Sequence, residues 1–384
     1  MMAASISKAR REVIYVKGDH LTLPQATTHA VAFLVTVLTV NVGHSGAPHP
    51  DEIYKELQSH GKWVLTSNGE PPPPGARRRG LQSSGLTHAG DKLVSIGDQR
   101  SENSGHVLFI DPTSARLLRD PLLPTIDAER LKNNPEVAKY RSIRNSDFEG
   151  VCRHPTEPEI FFAVTENKVP WIVEIHVPSM AQASFRQFAP LEFPAGLSPW
   201  RDDNNFRVEG ITIADDAETL FLAFERARDN LPRILTVSVA AVRTGKPLNL
   251  VELPIRFDDL RRRNDKARAR LNLNGLQFLR HKKRRYLVAI ARDQERILLI
   301  TLESNHVERV VDLVLLSPDG SRVKWVSPEG IAVDPKDGRL WLINDPDSVR
   351  NNYRAVGAES AKGMFALYTP LLFELPLSSL LSAD

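Results

Sequence analysis

An internal repeat restricts the fold of this chain more than any other feature of its sequence. Five stretches share one plan: "SGLTHAGDKLVSIGD" from Ser84, "EGVCRHPTEPEIFFAVTE" from Glu149, "EGITIADDAETLFLAFE" from Glu209, "NGLQFLRHKKRRYLVAIARD" from Asn274 and "EGIAVDPKDGRLWLIND" from Glu329. Each opens on a small, polar or acidic residue followed by glycine. It then runs through an apolar residue and a polar turn into an apolar strand, and it closes on an acid. A further alternating run follows each copy: "HVLFID" from His106, "WIVEIHV" from Trp171, "RILTVSV" from Arg233, "RILLITL" from Arg296 and "LLFELPL" from Leu371. These read as third strands. Fourth-strand candidates are "ARLLRD", "FRQFAPLEF", "LNLVELPI" and "VERVVDLVLL".

Short strands in groups of four, recurring about every 55 to 65 residues with no strong helical stretch among them, predict an all-β chain folded as a β-propeller of four-stranded blades. Five repeats are visible, and a sixth, diverged blade stays open. The last copy has no fourth strand of its own. N-terminal "KWVLTS" or "AVAFLVTVLTV" is expected to supply it and so hide the final sheet edge. The segment 120–146, with "DAERLKNNPEVAKY", has helical character and is expected to be an insertion between strands. The organisation is read as an N-terminal segment over 1–67, a Pro- and Arg-rich linker or exposed loop over 68–84 ("NGEPPPPGARRRGLQSS") and a propeller domain over 85–384.

In an antiparallel hairpin the first residue of one strand lies beside the last residue of the next, so the repeat should gather its polar ends on one face. The first set is Ser84, Glu149, Glu209, Asn274 and Glu329. The second is Asp98, Glu166, Glu225, Asp293 and Asp345. Inner strands of a propeller line its axis, so Glu149, Glu209 and Glu329 should converge there, and converging carboxylates need a cation or protons between them. Those three with Asn274 form an all-oxygen set, which suits a divalent cation, calcium best and then magnesium or manganese, rather than zinc. Pairing with bases is the competing reading, since Arg100, Lys168, Arg226, Arg228 and Arg292 lie close in sequence to the second set. We expect a central polar or metal site for the three glutamates and charge pairing for the second ring. The glycines read as turn or close-packing positions.

"SGLTHAGDKLVSIGDQR", "DFEGVCRHPTEPEIFFAVTEN", "NFRVEGITIADDAETLFLAFER" and "SPEGIAVDPKDGRLWLINDPD" together resemble the phytase-like esterase domain and the related SdiA-regulated propellers, over about 85–380. That resemblance implies a propeller of bacterial, often exported, proteins with a calcium-type site at the hub. Residue by residue it points to Glu149, Glu209 and Glu329, with Asn274 in the matching place of a copy that departs from Glu-Gly. Ser84 departs further. The family's activity is itself poorly defined, so the resemblance implies no substrate.

Charge and composition limit the alternatives. The 50 basic and 47 acidic residues of the 384 nearly balance, which argues against nucleic acid as a partner. A single cysteine, Cys152, excludes an intramolecular disulfide and a multi-cysteine metal site, and it reads as a small core residue. Lys8, Arg10, Arg11 and Lys17 precede the apolar run at 30–40, an order that suggests export to the periplasm; a buried strand in a cytoplasmic protein explains the same run, which is too short to span a bilayer. Gly-x-Ser-x-Gly, HExxH, P-loop and GxGxxG fingerprints are all missing. His88 and His154 read as exposed turn residues, and Trp200 as part of a mouth loop.

Two functional classes follow. In one, the hub cation assists hydrolysis of a phosphoester, a carboxylic ester or a lactone, with Arg100, Arg226 or Arg292 meeting an anionic substrate group. In the other, a monomeric propeller binds a ligand or envelope partner without turnover, and the cation is structural. No residue is assigned a catalytic role.

Overall fold

The structure is a computed structural model and describes residues 54–72, 80–98, 105–126, 146–166, 169–194, 197, 208–227, 229, 231–257, 260, 271–324, 326–346 and 359–381. Its strands arise where the repeat places apolar residues between polar turns. The N-terminal strand β1 (Tyr54–Trp63) precedes the first repeat, which forms β2 (Ser83–Ala89), β3 (Lys92–Gly97) and β4 (Val107–Ile110). After the short β5 (Thr125–Ile126) the second repeat gives β6 (Phe148–Arg153), β7 (Ile160–Thr165), β8 (Trp171–Ser179) and β9 (Gln182–Glu192). The third comprises β10 (Val208–Ile213), β11 (Thr219–Phe224), β12 (Arg233–Ser238), the helical turn α1 (Val239–Arg243), β13 (Leu248–Asn249) and β14 (Val251–Leu253). The fourth is β15 (Leu276–His281), β16 (Arg284–Ala291), β17 (Arg296–Thr301) and β18 (His306–Leu316). The last is β19 (Pro328–Asp334), β20 (Arg339–Asn344), helix α2 (Glu359–Ala366) and β21 (Leu371–Pro376).

Within each repeat, successive strands pair as an antiparallel meander. Apolar side chains from both faces of these sheets meet those of the next sheet, so the core is a series of clusters between sheets rather than one central mass. One cluster joins the first and second sheets (Val94, Phe109, Phe161, Phe185), another the second and third (Phe162, Leu222, Phe224), and another the third and fourth (Phe221, Phe278, Leu287). A fourth joins the fourth and fifth, and the last returns from the fifth to the first through Trp341, Leu93 and Leu86. Sheets stacked side by side in a closed cycle are the propeller-type all-β architecture.

The strand β1 serves two sheets. Tyr54–His60 runs parallel to Val310–Leu316 of β18, and Gly61–Trp63 then pairs antiparallel with Leu371–Phe373 of β21. The crossing falls at Gly61, where a Cβ would meet the Phe373 ring at 2.8 Å. The edge of the last sheet is thereby covered by chain from the other end of the sequence. Of the fourth-strand candidates, "FRQFAPLEF" and "VERVVDLVLL" lie in β9 and β18. "LNLVELPI" splits, with β13 pairing to β9 of the preceding sheet and β14 to β12. "ARLLRD" makes only isolated bridges, Leu65 to Arg116 and Ile110 to Leu117. Helix α2 was not legible as a repeat element because it is an insertion between the second and third strands of the last copy. The helical reading of "DAERLKNNPEVAKY" and the apolar run at 30–40 lie outside the described residues. No helix among the described residues is long and apolar enough to cross a membrane.

The glycines of the repeat explain how tightly the inner strands converge. A Cβ on Gly85 would lie 2.6 Å from the Val151 nitrogen, one on Gly150 2.8 Å from the Ile211 nitrogen, and one on Gly210 2.8 Å from the Asn274 oxygen. A Cβ on Gly275 would overlap the Glu329 carbonyl oxygen, and one on Gly330 would reach the Gly85 carbonyl carbon at 2.7 Å. Each glycine therefore faces the backbone of the next repeat, and the series closes on itself. The space between them has no room for a water molecule. Close backbone approach, more than turn geometry, is why glycine recurs, although Gly85 also has φ +57°.

Candidate metal centre

In three of the five inner strands a β-bulge falls on the residue before glycine. In β6 the register steps from Phe148 opposite Thr165 to Gly150 opposite Val164, leaving Glu149 as the extra residue. Glu209 and Glu329 occupy the same position in β10 and β19, while in β2 the step falls at Gly85. Bulges of this kind redirect a side chain out of the ladder. Each of three terminal acids pairs with the residue two positions ahead of the one before glycine. The Glu166 amide donates to the Asp147 carbonyl (2.8 Å), Asp98 to Gln82 (2.9 Å) and Asp345 to Ser327 (3.1 Å). The polar residue two positions ahead of the glutamate thus joins the rim. Asp147 is the consequential one.

Asp98, Asp147 and Glu149 each offer a carboxylate oxygen, and these oxygens lie within 4.8 Å of one another. They come from the end of β3 and the start of β6, on adjacent sheets. Asp98 and Glu149 are buried and Asp147 is half-buried. Burial, reinforced by a carboxyl–carboxylate hydrogen bond to Asp147 and by the charges of Asp147, Asp345 and Glu329, holds Asp98 well above the usual carboxylate range. Burial followed by repulsion from Asp98, Glu209, Glu166 and Asp147 does the same to Glu149. In the absence of a metal, protons must therefore carry part of the neutralisation.

Neutral donors fix the geometry. Gln82 Nε2 donates to Asp98 Oδ2 at 2.7 Å, and Ser84 Oγ lies within reach of Glu149 Oε2 (3.3 Å) and Glu329 Oε2 (3.2 Å), donating to one at a time. Asn274 Nδ2 donates to Glu209 Oε2 at 3.1 Å. Two carbonyl oxygens on this rim, Gln82 Oε1 and Asn274 Oδ1, are buried without a hydrogen-bond partner. A buried orphan oxygen is costly unless something electropositive meets it. Three carboxylates, with the Gln82 amide on Asp98, form a hard, all-oxygen donor set that fits a divalent cation of the calcium or magnesium type.

On the other side of the rim the counter-charge is a guanidinium. Arg292 Nη1 is hydrogen-bonded to Glu329 Oε1, and Arg292 Nη2 lies 3.5 Å from Glu225 Oε1, which also accepts from Asn272 Nδ2 at 3.1 Å. Burial alone would disfavour the Arg292 cation, but Glu329, Glu209, Glu225 and Asp293 outweigh it and hold its pKa well above the ordinary arginine value. Burial and Asp345 raise the Glu329 carboxyl, partly offset by Arg292.

The residues expected from the sequence are thus divided. Glu149 joins the triad; Glu209 is tied to Asn274; Glu329 is held between Ser84 and Arg292. Among the second ring, Asp98 belongs to the triad, Glu225 pairs with Arg292, Asp345 is buried beside Glu329, and Glu166 and Asp293 are half-buried. Of the arginines read as substrate contacts, Arg292 is turned onto carboxylates, Arg226 is buried and Arg100 lies outside the described residues, as does Trp200. His154 is not an exposed turn residue. It is buried, with Nδ1 accepting from the Glu157 amide at 3.0 Å, Nε2 3.3 Å from the Glu157 carboxylate and the ring against Phe162. His88 is half-buried, stacked on Trp341 and 3.6 Å from Asp334. Cys152 is buried, and burial pushes its thiol far up, which makes it inert.

Neither a family model nor a curated protein sequence matches the chain. Among solved structures it is similar to the glutaminyl cyclase of Myxococcus xanthus, at TM-score 0.44 and 11% identity over 84% of this chain and 98% of that one. It is also similar to the GH43_1 enzyme from Xanthomonas citri complexed with xylotriose, at TM-score 0.43 and 15% identity over 77% and 87%. Likeness of this degree assigns no activity. The propeller-type architecture stands on the sheet pairing itself.

Proposed function

We propose that the chain is a five-bladed propeller that holds a divalent cation, best matched by calcium, at its carboxylate rim and uses it to hydrolyse a phosphoester, a carboxylic ester or a lactone. The closing cycle of glycines supports five blades. The clustering of Asp98, Asp147 and Glu149 carries the functional reading. Asp98 and Glu149 are anchored from below by Gln82 and Ser84, whereas the half-buried Asp147 leaves the solvent side open to a substrate oxygen. A cation held there would polarise that oxygen and lower the pKa of a bound water. The motif resemblance to phytase-like esterase and SdiA-regulated propellers supports the same rim, and the basic-then-apolar N-terminus supports export.

A second reading is favoured by Arg292. There the same rim uses a largely buried cation purely as counter-charge, and the metal could do likewise. The two separate experimentally. Divalent metal is expected to co-purify with the wild type and to be lost from Asp98→Asn. Calcium at a hundredfold its Kd should stabilise the chelated protein by about 2.7 kcal/mol, read from urea midpoints. Turnover on an ester, lactone and phosphoester panel that disappears with chelator supports the hydrolase. Stabilisation without turnover supports the structural cation, and metal content unchanged in Asp98→Asn removes the site.

A pH series checks the electrostatics. Folded-state carboxyl pKa values raised above the unfolded ones contribute stability that is complete below the unfolded value and is lost as pH rises through the folded one. Chelated wild type should therefore lose melting temperature from pH 5 to pH 8 relative to chelated Asp98→Asn. Excess calcium should abolish that difference in slope for the wild type. A parallel pair of profiles in chelator would contradict the buried, mutually repelling carboxyls.

A further inference from the structure

A cleft of about 170 Å³ opens between the first and second sheets at the ends remote from the carboxylate rim. Its position follows from the strands: Arg153 ends β6, whose other end carries Glu149, and Lys92 begins β3 just after the β2–β3 turn. Val94, Phe109, Phe161 and Val177, all buried, form its floor. Arg153 and Lys92 supply two cations at its wall.

Arg153 is half-buried, and its Nε donates to the Pro158 carbonyl at 2.9 Å. Among the described residues its Nη groups meet no acceptor and no carboxylate pairs with it. Three other arginines withdrawn from solvent are paired with carboxylates: Arg243 with Glu157 and Glu174, Arg292 with Glu329 and Glu225, Arg296 with Asp312. Burial depresses the Arg153 pKa with no acid to oppose it. Lys92 pairs with the neighbouring Asp91, which is exposed, so that contact is weak and exchangeable. A guanidinium fork left open above an apolar floor matches a planar carboxylate bearing a hydrocarbon body.

We propose that this cleft binds a small monocarboxylate with a short aliphatic or aromatic body, the carboxylate on Arg153 and Lys92 and the body on Phe109 and Phe161. Its volume falls below the roughly 300–1,000 Å³ of pockets for drug-sized ligands, which restricts the occupant to a short chain or a single ring. Inorganic phosphate would satisfy the cations but leave the apolar floor uncovered. The site is independent of the metal reading, so chelation should leave it unchanged.

The test is titration of the full chain with hexanoate, followed by calorimetry, with hexanol and inorganic phosphate as comparisons. Saturable hexanoate binding is expected, with hexanol and phosphate each weaker by about tenfold or more, the size of one charge-assisted hydrogen bond or of the buried chain. Arg153→Gln should weaken hexanoate by about tenfold or more while circular dichroism is retained. Should that variant fail to fold, Lys92→Gln, at a turn, reads the same loss in smaller degree. Hexanol binding as well as hexanoate, or unchanged affinity in the variants, overturns the proposal. So does a peptide with a C-terminal leucine that binds about tenfold tighter than hexanoate, since that would make the cleft a peptide site.

Discussion

Gly85→Ala is expected to destabilise the protein by about 4 kcal/mol, combining a left-handed backbone penalty of about 1–2 with overpacking of about 1–3 kcal/mol. The added methyl would sit 2.6 Å from the Val151 nitrogen with the backbone at φ +57°. Backbone of the neighbouring inner strand cannot swing aside as a flexible side chain could, and that strand in turn abuts Gly210, so any displacement must pass around the cycle. Gly338→Ala isolates the first contribution: φ is +64° and nothing lies within 4 Å, so the expected cost is about 1–2 kcal/mol. Urea unfolding of the two variants checks the difference. Equal midpoints would mean that the inner strands are not in the backbone contact described here.

The repeat made the sheets readable because short apolar strands, polar turns and X-Gly starts recur at nearly constant spacing. Every third strand expected from the sequence is present, from β4 to β21. The candidate centre was harder to read. Alternation places Glu149 and Glu166 at one end of a hairpin, yet a one-residue bulge at Glu149 leaves the apolar pattern of "GVCR" intact, so nothing in the periodicity reports it. Its effect is to set Glu166 against Asp147 and to leave Glu149 beside Asp98 of the preceding sheet. The available signal was the polar residue two positions before the one that precedes glycine, which recurs as Gln82, Asp147, Asn272 and Ser327. Arg243 reaches back 86 residues to Glu157, the residue that contacts His154, and no local pattern encodes such a contact.

Arg292→Met should cost about 3–5 kcal/mol at pH 7, because it removes one partner of a buried ion pair and leaves the other uncompensated. Glu329 Oε1 and Glu225 Oε1 would both lose the guanidinium, the Asn272 amide would stay on Glu225, and both carboxylates are buried. The penalty has a pH signature that a simple packing defect lacks. Arg292 lowers a Glu329 carboxyl that burial and Asp345 already hold high, so its removal lets Glu329 protonate more readily. Protonation relieves the unpaired charge, and the loss measured by urea unfolding should therefore shrink from pH 7 to pH 5. Adding Glu329→Gln and Glu225→Gln to Arg292→Met should recover most of the stability, since no uncompensated charge is then left among the three positions. A penalty that is constant with pH and persists in the triple variant would assign Arg292 a packing role. A penalty that fades in both would show that the rim is balanced by charge on this side as well, with a guanidinium at the place where the opposite side offers Asp98, Asp147 and Glu149 to a metal.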